Sequence, residues 1–161
     1  MKTDPKLDLV LERVVDVPPS LVWACWTQPK HIKKWFTPAP WKTVEAKVDL
    51  RPGGQLYFVM ESPEGQRFPN TGCYLEIVKN ERLTWTNALL PGYRPSGSGA
   101  ASADDLIFTA TILMKKQGKG TKYTAIAMHK NESDTDKHSK MGFHDGWGKA
   151  LDQLVALAKK M

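Results

Sequence analysis

The hydrophobic positions of this chain change period three times, and each change marks a new kind of element. Leu7, Leu9, Leu11, Val15 and Val17 alternate with more polar neighbours, which predicts an opening strand. Pro18-Pro19 ends it, and from Ser20 to Thr27 the spacing of Val22, Trp23 and Trp26 turns helical. Pro29 starts a second short helix with Ile32, Trp35 and Phe36 on its apolar side and Lys30, Lys33 and Lys34 pointing away.

After Pro38 and Pro40 the period returns to two. Val44, Ala46, Val48 and Leu50 form one alternating set, and Leu56, Phe58 and Met60 form the next, beyond the turn Arg51-Pro-Gly-Gly. Cys73, Leu75 and Ile77 follow the Pro63-Glu-Gly turn, and Leu83 and Trp85 follow Asn80-Glu81. Turns this short imply an antiparallel meander. Strands resume at 106–114 and 121–130 across Gln117-Gly-Lys-Gly, and a polar stretch, Asn131 to Lys137, follows. The segment from Ala88 to Asp105, rich in Gly, Ser and Pro, is too long for a plain hairpin and reads either as a functional lid or as disordered chain.

The third change is to a long terminal helix, with Trp147, Ala150, Leu151, Leu154 and Ala158 on one face. Gly142, Gly146 and Gly148 blur its start; they suit a helix lying close to a sheet, or one that must leave room for something else. The expectation is one α+β domain over residues 1–161. It has a curved antiparallel sheet of about six to seven strands, two short helices after the first strand, and a long C-terminal helix.

Four phrases, in this order, carry a resemblance: Val22-Trp-Ala-Cys-Trp-Thr-Gln-Pro-Lys-His-Ile-Lys-Lys-Trp-Phe; Asp49-Leu-Arg-Pro-Gly-Gly; Gly72-Cys-Tyr-Leu-Glu-Ile-Val with Glu81-Arg-Leu; and Gly142-Phe-His-Asp-Gly-Trp-Gly-Lys-Ala-Leu-Asp-Gln-Leu. Together, from about Leu7 to Leu157, they resemble the SRPBCC (START-like, helix-grip) superfamily, in particular the branch named for the activator of Hsp90 ATPase. The resemblance implies a sheet wrapped around the terminal helix with a cavity between them. Relatives hold lipids, polyketides, hormones or other apolar molecules there. A few catalyse cyclisation or dehydration, and the eukaryotic namesake stimulates a chaperone ATPase. The expected function is therefore binding of a small hydrophobic or aromatic ligand. A co-chaperone or stress-response role, or cyclase- or hydrolase-type turnover of the bound molecule, is the alternative. A second domain like the namesake's is missing here, which weakens the chaperone expectation, and the stretch around Ser96–Ala103 is longer than the family pattern requires.

Composition narrows this reading. Apolar residues make up 41% and charged residues 25%, as in ordinary globular domains, and no apolar run is long enough to span a bilayer. Acidic residues in Met1-Lys-Thr-Asp-Pro-Lys-Leu-Asp argue against an export signal. Cys25 and Cys73 read as buried, reduced thiols, consistent with a cytoplasmic protein. The net charge of +6 comes from scattered lysines with no nucleic-acid-binding motif beside them, so a nucleic-acid partner is not expected. Either a monomer or a homodimer fits.

Four of the six tryptophans lie between Trp23 and Trp41, more rigid aromatic surface than two short helices need for packing alone. The expected cavity has three walls. Trp26, Trp35 and Phe36 with the long loop form its entrance; Phe58, Met60, Trp85, Phe108 and Met128 line the sheet side; Phe143, Trp147 and Leu151 line the helix side. The same residues would also serve as ordinary core. No catalytic set, metal site or cofactor is assigned: there is no nucleophile elbow, no phosphate loop and no metal-ligand spacing. His144-Asp145 is poorly placed for a direct pair, since adjacent helical residues point about 100° apart. His129 can meet His138 only if the polar stretch between them folds back. One of Glu45, Glu61 and Glu76 turned inward could orient a ligand.

Overall fold

The computed structural model describes residues 1–96 and 106–161. The opening strand, β1 (Asp8–Val15), is followed by α1 (Pro19–Thr27) and α2 (Pro29–Trp35), each begun by a proline in its first turn. The meander then runs β2 (Lys42–Val48), β3 (Gln55–Glu61), β4 (Arg67–Val78) and β5 (Arg82–Thr86). A two-residue ribbon, β6 (Leu89–Leu90) with β7 (Arg94–Pro95), interrupts it before β8 (Thr109–Gln117) and β9 (Gly120–Met128). Two helices close the chain, α3 (Glu132–Lys140) and α4 (Phe143–Ala158).

The strand order β1-β9-β8-β5-β4-β3-β2 makes one seven-stranded antiparallel sheet. The first two strands in sequence lie at its opposite edges, so α1 and α2 must cross its inner face to join them. The sheet does not close into a barrel. It grips α4, which packs on α1, α2 and β1. Arg13 on β1 ties this layer together, donating to the Gly148 carbonyl at 2.6 Å and pairing with Asp152 at 2.9 Å.

Two expectations need correction. The polar stretch after β9, to which the sequence pattern assigns no element, is the helix α3. Asn131 caps it by accepting from the Asp134 N–H at 2.8 Å, Glu132 and Asp134 sit in its first turn, and Lys137, His138 and Lys140 sit in its last. It buries only Thr135 and His138, so no apolar stripe announces it. Within Ala88–Asp105, residues 89–95 form the β6–β7 ribbon rather than disordered chain, while 97–105 lie outside the described residues. Tyr93 at the ribbon's tip lies against Gly53, where an added Cβ would approach its ring carbon to 2.8 Å; the φ of +81° there also favours glycine. The Gly92 N–H donates to the Gly53 carbonyl at 2.8 Å.

Candidate functional site

Sheet and terminal helix do not pack solidly against each other. Between them lies a cavity of about 780 Å³. Each wall owes its position to local chemistry. On the α2 side, Trp26, Trp35, Phe36 and, from β3, Phe58 form a chain of ring contacts at 4.8–5.6 Å. Trp26 and Trp35 are fixed by their indole N–H groups, which donate to the Tyr123 hydroxyl at 3.1 Å and to the Cys25 carbonyl at 2.7 Å. Beyond Phe36 the chain passes through Thr37 at φ +87°, an unfavourable region for a β-branched residue. It is held there by a Thr43 hydroxyl at 2.9 Å and by the Gln153 amide, which donates to both the Trp35 and Thr37 carbonyls at 2.9 Å.

On the opposite side, Trp85, Phe108, His138 and Trp147 make the second aromatic group. Phe108 precedes β8 and is held by its backbone: its N–H donates to Asn87 Oδ1 at 2.9 Å and its carbonyl accepts from the Thr86 hydroxyl at 3.1 Å. The buried indole N–H of Trp85 has no partner among the described residues. At the rim, Trp41 and Phe68 stack at 5.6 Å and stay partly exposed, and Arg67 pairs with Glu61 at 3.1 Å.

Of the residues expected to line a cavity, Trp26, Trp35, Phe36, Phe58, Met60, Trp85, Phe108 and Trp147 do line it. Met128, Phe143 and Leu151 do not. Met128 ends β9 half-buried; Phe143 supports Trp147 from behind at 4.7 Å; Leu151 is buried in the core. Gly146 lies on the cavity wall, and a Cβ there would meet only Pro38 Cγ, at 3.9 Å. Close approach to the sheet therefore does not require this glycine; it leaves space.

Three of the four histidines, His129, His138 and His144, separate into two groups. His144 donates to or accepts from nothing in the cavity; its Nε2 lies 3.1 Å from the Val10 carbonyl, on the outside. His129 and His138 meet because α3 folds back over the end of β9. His129 Nδ1 is 2.9 Å from the Leu7 carbonyl and its Nε2 is 2.8 Å from His138 Nδ1. His138 lines the cavity and is only 7% exposed; burial, with the neighbouring His129 adding to it, pushes its pKa down to about 4. Sequence reading missed His138 and Tyr123 as wall residues. The phrase Asn131-Glu-Ser-Asp was the available signal for the first, as an N-cap followed by first-turn acid.

None of Glu45, Glu61 and Glu76 reaches the cavity. No group of three potential metal ligands occurs among the described residues. Cys25 is buried, and its thiol is pushed up to about 11 by that burial, which leaves it a packing group rather than a nucleophile. No described helix is long and apolar enough to cross a membrane.

The family described as activator of Hsp90 ATPase homolog 1-like protein matches residues 16–159, nearly the whole chain. The chain belongs to this family. Among solved structures, a Nitrosomonas europaea protein is similar at 46% identity and TM-score 0.92, with 98% of this chain and 97% of that one covered. An Arthrobacter aurescens protein is 20% identical at TM-score 0.79, covering 99% and 91%. An Aeromonas hydrophila protein, itself described as a member of the activator of Hsp90 ATPase homolog 1-like group, is 19% identical at 0.70, covering 96% and 93%. The last two share the fold and carry nothing more. No curated protein matches the chain.

Proposed function

We propose that this member of the activator of Hsp90 ATPase homolog 1-like family binds a small, mainly aromatic molecule between its sheet and α4. The observation that carries the reading is the aromatic cavity of about 780 Å³. That volume is within the range of small-molecule sites, which span roughly 300–1,000 Å³ and are mostly apolar with a few placed polar groups. A void of this size costs stability if it serves nothing, because the surrounding side chains forgo their packing partners. Two of the wall tryptophans, Trp26 and Trp35, are anchored by hydrogen bonds that hold them in place rather than letting them collapse inward. The two buried free thiols fit a reducing compartment and support a cytoplasmic location.

The test is a fluorescence titration with an environment-sensitive naphthalene sulfonate, beside a thermal-shift panel of aromatic compounds. Saturable binding with tryptophan quenching and a raised Tm is expected. Gly146→Leu places a side chain in the space that this glycine leaves, so it should abolish binding while keeping or raising Tm, since glycine costs about 1 kcal/mol in a helix. Wild-type protein with no saturable site across the panel refutes the reading.

A further inference from the structure

The polar groups around the cavity narrow the kind of aromatic molecule it takes. Hydrogen bonding fixes the tautomers of the two histidines in sequence. The Leu7 carbonyl has no hydrogen to give, so His129 Nδ1 is the donor across that 2.9 Å contact. In the neutral pair His129 Nε2 then carries a lone pair, and the 2.8 Å contact obliges His138 Nδ1 to donate to it. His138 is left with an unprotonated Nε2. Among the described residues nothing hydrogen-bonds that atom, although the ring forms part of the cavity wall. The ring cannot easily turn away: Phe108 and Phe143 pack on it with centroids at 5.0 and 5.3 Å, and Trp147 lies at 6.2 Å.

From this geometry we infer that His138 Nε2 is the polar anchor of the site, accepting a hydrogen bond from a neutral aromatic ligand that carries a hydroxyl, such as a phenol or naphthol. This rests on the binding function proposed above. A planar ring would lie among Phe108, Trp85 and Trp147, with its hydroxyl directed at the imidazole. An aromatic carboxylate fits this end badly, because its oxygens would face a lone pair. Burial resists the protonation that would reverse this, holding the His138 pKa at about 4. Among the described wall residues the one fixed positive charge is Arg67, at the rim and already paired with Glu61.

The experiment compares 2-naphthol with 2-methylnaphthalene, which has nearly the same shape and no donor, and with 2-naphthoate, by tryptophan quenching at pH 7. In a wholly apolar cavity the methyl compound binds better than the naphthol. The expected result is the reverse, with 2-naphthol tighter by about tenfold and 2-naphthoate weakest. In His138→Phe the naphthol advantage disappears while 2-methylnaphthalene still binds. Wild-type protein labelled with ¹⁵N needs no substitution. Its imidazole spectrum should show His138 as the Nδ1–H tautomer, with the Nε2 resonance shifting on 2-naphthol but not on 2-methylnaphthalene. Binding of both neutral compounds without preference, tighter binding of 2-naphthoate, or an Nε2–H tautomer overturns the anchor and leaves the cavity reading intact. Failure of all three compounds to bind overturns both.

Discussion

Gln153 is the side chain whose loss should damage both the stability of this protein and the shape of its cavity. It lies on α4, and its amide joins that helix to the segment leaving α2. Its Nε2 donates to the Trp35 and Thr37 carbonyls, each at 2.9 Å, and its Oε1 accepts from the Ala39 N–H at 2.8 Å. Trp35 and Thr37 are buried, whereas Ala39 is exposed and can turn to water. In Gln153→Leu the first two carbonyls lose a partner at about 1 kcal/mol each or more, and the third contact costs little, giving about 2–3 kcal/mol in total. For a domain of this size, roughly 2–4 °C per kcal/mol, the Tm should fall by about 5–10 °C. Thr37, held at φ +87°, should relax, and Phe36 and Pro38 on the cavity wall should move with it. Probe affinity should therefore fall together with stability. Gln153→Glu is the sharper control. It keeps helix propensity and the acceptor for Ala39, but sets a carboxylate against two carbonyls, so it should be worse than leucine at pH 7. Urea unfolding and probe titration of both variants decide the matter. A loss below about 0.5 kcal/mol, or a glutamate variant as stable as wild type, would refute the clamp.

Three further predictions address other parts of the architecture. Tyr123→Phe leaves the buried Trp26 N–H without its acceptor and should cost about 1–3 kcal/mol by urea unfolding; an unchanged midpoint would mean that the indole finds another partner. Gly53→Ala places a Cβ against the Tyr93 ring at a φ of +81°, so it should cost at least about 1 kcal/mol, and Tyr93→Ala in the same chain should recover only the steric part. His138, with a folded pKa of about 4 against an ordinary 6.5, disfavours protonation of the native state. Between those values the unfolded chain binds more protons, so stability falls as pH drops from about 6.5 to about 4, by about 3 kcal/mol at most, and flattens below. Subtracting the pH profile of His138→Phe from that of wild type isolates this contribution, and a flat difference would refute it.

The order of elements was legible because burial on one side leaves a period in the sequence. Leu56, Phe58 and Met60 in β3, and Trp147, Leu151 and Leu154 in α4, report their faces through spacing alone. The cavity wall was only partly legible. Phe143 and Leu151 share the apolar side of α4 with Trp147, yet one packs behind that ring and the other enters the core. Spacing identifies the side of a helix that is covered; it does not say whether a neighbouring side chain or an empty space covers it. Phe108 was legible as a wall residue, but what anchors it was not, since that rests on Asn87, 21 residues away. The α3 helix was hidden for the opposite reason. Its stability comes from capping and end charges, and its single functional side chain, His138, stands among residues that face water.

That hidden helix adds an imidazole to the polar groups of the site. The strands and α4 supply mostly rings and aliphatic groups to the wall, with Arg67, Asn70 and Thr71 of β4 among its polar members. The α3 helix has no apolar stripe and so contributes little to the core, but it carries one imidazole to the edge of the aromatic group and pairs it with a second at the end of β9. The Leu7 carbonyl, just before β1, completes the relay by fixing the first tautomer. The segment before β1 thus meets the β9–α3 junction, 122 residues away, to hold one nitrogen lone pair in place. In a solidly packed core the same imidazole would cost more than leucine or phenylalanine, because its second nitrogen would have no partner; on a cavity wall that nitrogen is open to a guest.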